Sequence, residues 1–176
     1  MLIGVVLTIL WQRTIKTSPQ QTKAYMDRIQ TLMPEPQGAV VEARNNNVMP
    51  VLSLDGTDFV GILEMPLFGS RLPVSNDWGK TSKYPCRFGG SIYDGSMKIG
   101  VTSQKGQYDF YRDISVGDSV FFTDMTGNRY GYSVIDVCYE KHANSETLKH
   151  PDASLTVFVK NVYAFEYILI FCAPLS

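Results

Sequence analysis

From Val51 onward the chain never sustains an apolar pattern for longer than a short strand before a turn residue interrupts it. Brief alternating or continuous apolar runs, separated by Gly, Asp, Asn and Pro, suit a pleated, half-buried surface and are too short for amphipathic helices. Maintained over residues 51–176, this texture predicts an all-β sandwich or barrel rather than βαβ units. Strands are expected near residues 59–65, 67–74, 97–101, 119–124, 129–138, 154–160 and 167–172. The stretch Asp124-Met125-Thr126-Gly127-Asn128 reads as a hairpin turn between two of them. Gly117-Asp118 offers an unusual backbone conformation and a locally bonding side chain just before the strand at Val120.

The N-terminal part has a different grain. Residues 1–17 open with an apolar stretch, Met1 to Trp11, interrupted only by Thr8. Crossing a bilayer takes about 20 such residues, so the segment reads as the tail of a truncated membrane anchor, or else as a short apolar piece packed on the domain. Polar Gln12, Arg13 and Lys16 follow at once, as residues leaving a membrane would, which favours the anchor. In residues 18–50, Tyr25, Ile29, Leu32 and Met33 share one helical face, with Ser18 and Pro19 able to open the helix and Pro34 and Pro36 to close it. A polar linker with the run Asn45-Asn46-Asn47 leads into the β region.

Composition narrows the function classes. Sixteen Lys+Arg against seventeen Asp+Glu, with no basic run interleaved with aromatics, argue against nucleic acid as a partner. The three cysteines, Cys86, Cys138 and Cys172, are far apart and contain no CxxC pair, so neither a metal site nor a disulfide framework is signalled. One bridge stays open, Cys86 with Cys172 first among the pairings. No cofactor motif is present.

Several stretches, in chain order, resemble one family. Phe59-Val60-Gly61-Ile62-Leu63-Glu64-Met65-Pro66 and the following Leu72-Pro73-Val74 are similar to the opening of the sortase domain. Pro85-Cys86-Arg87-Phe88-Gly89-Gly90-Ser91-Ile92-Tyr93 resembles the "P-C-R-Y-S-G-S-x-Y" stretch of a class B-like group of sortases from Gram-positive bacteria. Ser115-Val116-Gly117-Asp118-Ser119-Val120, the turn after Asp124, and Leu155-Thr156-Val157-Phe158 resemble further sortase strands, so the similarity runs from about Val48 to Cys172. The resemblance implies a closed β-barrel of about seven or eight strands with an N-terminal helix. It also implies a membrane-anchored enzyme at the extracellular face, a cysteine transpeptidase that cuts a sorting-signal peptide through a thioester and passes the acyl group to an amine on the cell wall or a pilin.

That chemistry uses a histidine, a cysteine and an arginine. Aligned without gaps, Met97-Lys98-Ile99-Gly100-Val101-Thr102 puts Thr102 at the histidine position, and the strand from Leu155 puts Lys160 at the cysteine position and Tyr167 at the arginine position. A thiol ionises near 8.5 and attacks as thiolate, whereas a lysine amine ionises near 10.4 and forms a stable amide. Threonine cannot cycle a proton near neutral pH, and a phenol lacks the forked charge of guanidinium. The expectation is a catalytically inactive sortase relative whose binding groove runs past Thr102, Tyr108, Lys160 and Tyr167 and takes a sorting-signal peptide, a pilin subunit or an active sortase. Three alternatives stand beside it. The catalytic set is displaced and a thiol pairs with His142 or His150, Cys86 with His142 being one such pair; Lys160 is a desolvated amine that forms a covalent bond; or the gene product has decayed. Tyr108, Phe110 and Tyr111 either line the groove or cap the core.

Overall fold

The computed structural model of the chain describes residues 19–34, 48–81, 83–103 and 109–175. The sequence readings on residues 1–18, on the asparagine run of the linker and on Tyr108 therefore lie outside the described residues.

Helix α1 (Pro19–Leu32) begins on a proline, whose missing N–H would have had no partner in the first turn. Its buried stripe is Thr22, Met26 and Ile29, with Tyr25 and Met33 half-buried, whereas Leu32, expected on that face, is 54% exposed. The stripe is centred nearer Met26 because Met26 and Ile29 enter a cluster with Leu54, Phe59, Ile62 and Tyr84, and Leu32 falls past its edge. Arg28 and Tyr25 reach Asp55 at 2.6 and 3.2 Å and hold the helix to the first hairpin.

That hairpin pairs β1 (Leu52–Leu54) with β2 (Thr57–Met65) around Asp55-Gly56, both at positive φ (49° and 72°), the twist that joins two strands most tightly. Strand β1 was not anticipated, although Asp55-Gly56 signals it. A 3-10 turn at Pro66–Phe68, closed by Gly69, delays β3 (Ser70–Ser75) beyond the expected start at residue 67. A short β4 (Cys86–Gly89) was also unanticipated, because Pro85 and Gly89-Gly90 read as loop. The remaining strands, β5 (Met97–Thr102), β6 (Ser119–Asp124), β7 (Arg129–Glu140), β8 (Leu155–Asn161) and β9 (Glu166–Pro174), fall within a few residues of expectation.

The strands lie in the order β1-β2-β3-β4-β5-β8-β9-β7-β6, and β6 returns to pair with β2. Strands β2 to β9 thus form a closed eight-stranded barrel with β1 outside it, which decides for the barrel over the sandwich. Most pairs are antiparallel, but β5 and β8 run parallel, from Met97↔Leu155 to Thr102↔Lys160. Along them Ile99, Val101, Val157 and Val159 alternate inward into the main core, and Gly100, Thr102, Phe158 and Lys160 alternate outward.

Asp124 anchors the β6–β7 hairpin. Its buried carboxylate accepts from the Thr126 and Asn128 amides, the Thr126 hydroxyl and the hydroxyls of Tyr93 and Tyr130, at 2.6–3.1 Å. Closure of the barrel requires Gly61, which pairs with Asp124: a Cβ there would lie 2.2 Å from Phe122 Cζ and 2.5 Å from the Thr123 carbonyl oxygen. Gly61→Ala is expected to destabilise the fold by about 3 kcal/mol or more, read from the midpoint and slope of urea unfolding.

Candidate functional site on the outer wall of the barrel

Thr102, Lys160 and Tyr167 lie in one row across three neighbouring strands. Thr102 is the register partner of Lys160 on β8, and Lys160 is the partner of Tyr167 on β9. All three follow the outward alternation. Thr102 is half-buried, and its amide donates to the Thr81 carbonyl at 3.1 Å, while the Ser103 amide donates to the Lys160 carbonyl at 2.9 Å. The Lys160 side chain is exposed and makes no ion pair among the described residues. Tyr167 is half-buried against an outer apolar cluster of Leu148, Phe158, Leu169 and Phe171. Beside the row, Ser103 Oγ is buried with no hydrogen-bond partner among the described residues.

One row below, the wall becomes aromatic. Trp78 and Phe158 meet over Gly100, where a Cβ would lie 2.6 Å from either ring. Ring centroids are 4.8 Å apart for Trp78–Phe88, 5.7 Å for Trp78–Phe158 and 5.5 Å for Phe88–Phe158. Trp78 and Phe88 remain 43% and 44% exposed, so the cluster is a shelf facing solvent rather than a closed core. Trp78 stands on a 3-10 turn (Trp78–Lys80) capped by Asp77, which accepts from the Gly79 amide at 2.9 Å. Lys80 ties the turn to Gly56 O and Thr57 Oγ1 at 3.0 Å each. Sequence reasoning did not single out Trp78 or Phe88 as site residues, because they stand in separate segments and meet only when β4 lies on β5.

The alternative thiol–histidine chemistry is not assembled among the described residues. The three cysteines are free: Cys86 and Cys172 are buried in two different apolar clusters, so the bridge left open by spacing does not form. Burial pushes the thiols of Cys86 and Cys172 up to about 12 from an ordinary 9.0, with the Asp77 charge adding to the shift at Cys86. Cys138 is raised as well, by burial and by the carboxylates of Asp136 and Glu140. Among the described residues no hydrogen bond joins a cysteine to a histidine: Cys86 donates to the Tyr84 carbonyl at 3.3 Å, and His150 Nδ1 accepts from the Asp152 amide at 3.2 Å. His142 is exposed on the β7–β8 connection. Phe110 and Tyr111, in a 3-10 turn at Asp109–Arg112, are each 5% exposed and cap the main core instead of lining the outer wall. No group of three or more metal-ligating side chains occurs among the described residues, and no helix there is long and apolar enough to cross a membrane.

Solved structures match this architecture along nearly its whole length. Sortase A from Corynebacterium diphtheriae is 13% identical with a TM-score of 0.58, over 90% of this chain and 86% of that one. A Clostridium perfringens sortase D5 transpeptidase is 10% identical with a TM-score of 0.61, over 89% of this chain and 97% of that one. The chain has the sortase fold. A third similar structure, Clostridium perfringens sortase C with the C-terminal cell wall sorting motif, is 12% identical with a TM-score of 0.57, over 98% and 99% of the two chains. No protein-family model and no curated protein sequence matches the chain. In this sortase-fold barrel the row of Thr102, Lys160 and Tyr167 therefore rests on the strand registers seen here, not on sequence identity.

Three outcomes follow. Gly100→Ala should lift Trp78 off the wall and red-shift its fluorescence in a Trp11→Phe background, Trp11 being the other tryptophan of the sequence. In the native protein Ellman's reagent should leave Cys86 and Cys172 unmodified at pH 8 and should titrate all three thiols in guanidinium. The buried thiols stay neutral in the fold, while the unfolded chain ionises them from about pH 8.5. Their contribution to stability is therefore intact below that pH and lost as pH rises toward about 12, which urea midpoints across the alkaline range will show.

Proposed function

We propose that this chain is a sortase-fold binding module without transpeptidase activity, and that it holds an extended peptide of the cell wall sorting type against its outer wall. The observation that carries it is the row Thr102, Lys160 and Tyr167 on adjacent strands, together with three thiols, two buried and one half-buried, that hydrogen-bond to no histidine among the described residues. An alcohol, a primary amine and a phenol do not form and resolve a thioester at neutral pH. The surroundings suit binding: Trp78 and Phe88 present an aromatic shelf one row away, and Lys160 adds an exposed cation. Support for the peptide class comes from the similarly folded sortase C whose structure contains the C-terminal cell wall sorting motif. The chain would then work at the extracellular face of a membrane, tethered through the apolar segment at residues 1–17, with a pilin subunit or an active sortase as alternative partners.

The protein is incubated with a panel of sorting-motif peptides and an amine acceptor, then analysed by mass spectrometry and by fluorescence titration. Saturable binding with neither transfer product nor acylated residue is expected, and Trp78→Ala should weaken binding about tenfold. A covalent adduct on Cys86, Cys138 or Cys172 would instead establish a displaced cysteine transpeptidase, an adduct on Lys160 a covalent amine, and no binding at all a domain that has lost the function.

A further inference from the structure

A second concave site lies at the mouth of the barrel, on the inner side of the rim from the row just described. Asn161 and Glu166 are cross-strand partners where β8 turns into β9, and Tyr139 on β7 stands opposite Ile168. With Tyr111, Arg112 and Tyr163 these residues enclose an open cavity of about 400 Å3, a size that suits a small-molecule ligand.

The chemistry of its walls is specific. Tyr139 and Tyr163 are 60% and 63% exposed, so two phenol rings flank the opening without being packed into the core. Such rings offer an apolar face and a hydrogen-bonding tip together. Asn161 accepts from the Tyr163 and Ala164 amides through Oδ1, at 3.1 and 3.3 Å, which commits its oxygen to the turn and leaves the amide nitrogen as a donor. Arg112 contributes a planar guanidinium that also contacts the Tyr111 hydroxyl at 3.4 Å, and Glu166 a planar acceptor. One cation and one anion share the rim, so a phosphate would meet Glu166 and a polyamine would meet Arg112. A molecule without net charge, with apolar C–H faces edged by hydroxyl groups, meets both charges and both phenol rings without repulsion.

We infer that the barrel mouth is a binding site for a neutral saccharide, its sugar rings stacked on Tyr139 and Tyr163 and its hydroxyls bonded by Asn161, Glu166 and Arg112. The site is separate from the outer wall and does not depend on the peptide assignment. It is tested by calorimetric titration of the whole chain with maltotriose, cellotriose, mannotriose and tri-N-acetylchitotriose. Saturable binding of at least one trisaccharide is expected, weakened about tenfold or more by Tyr139→Ala and by Tyr163→Ala and retained by Tyr139→Trp. Both tyrosines are exposed, so the alanine variants should keep the parent thermal midpoint. Trp78→Ala, which lies on the other wall, should leave the sugar titration unchanged. The inference is overturned if none of the four sugars binds, if binding survives both alanine substitutions, or if inorganic phosphate or spermidine binds the site in their place.

Discussion

The barrel depends on one close approach, that of β2 to β6. Gly61 pairs with Asp124, and Phe122 occupies the space that a side chain at residue 61 would take. Because β2 is the second strand of the sheet and β6 the last, this contact turns an open sheet into a closed one and leaves only β1 as an added edge. Closure also determines the inside and the outside of every other strand, which is why β5, β8 and β9 can present a continuous outer wall and a continuous inner core at once.

The outer wall inherits its character from that division. Inward positions of β5 and β8 are filled by Ile99, Val101, Val157 and Val159, so along the middle of these strands the outward set faces the surroundings. It carries Thr102, Lys160 and Tyr167 in one row and Gly100 and Phe158 in the next, the latter roofed by Trp78. Two apolar clusters take up two of the three thiols: Cys86 and Cys172 act there as small apolar residues whose ionisation burial opposes.

Much of the fold was legible in local pattern. Strand β6 runs over the residues that its alternation marks, and the turn after Asp124 forms where Gly127-Asn128 signals it, because side-chain period and turn chemistry act over a few residues. Strand β4 was not legible, since the four residues Cys86–Gly89 carry no alternating run of their own and are held by a single bridge to β3 and a bulged pairing with β5. The helical face was right in kind and wrong at its edge: Leu32 suits the period, but the hollow over Phe59 and Tyr84 takes Met26 and Ile29 instead. The pairing of Cys86 with Cys172 failed for a related reason, as spacing says nothing about which of two apolar clusters a thiol enters.

By itself the sequence determined the class of structure, the sortase resemblance and the residue types at the three aligned positions, since each depends on chain order and on short-range periodicity. Tertiary structure alone decided that Thr102, Lys160 and Tyr167 are neighbours, that Trp78 and Phe88 form a shelf over Gly100, and that Tyr139 and Tyr163 flank the barrel mouth. Apart from the Lys160–Tyr167 pair of the β8–β9 hairpin, these contacts join separate segments of the chain, and only the closure and register of the barrel set which of them meet.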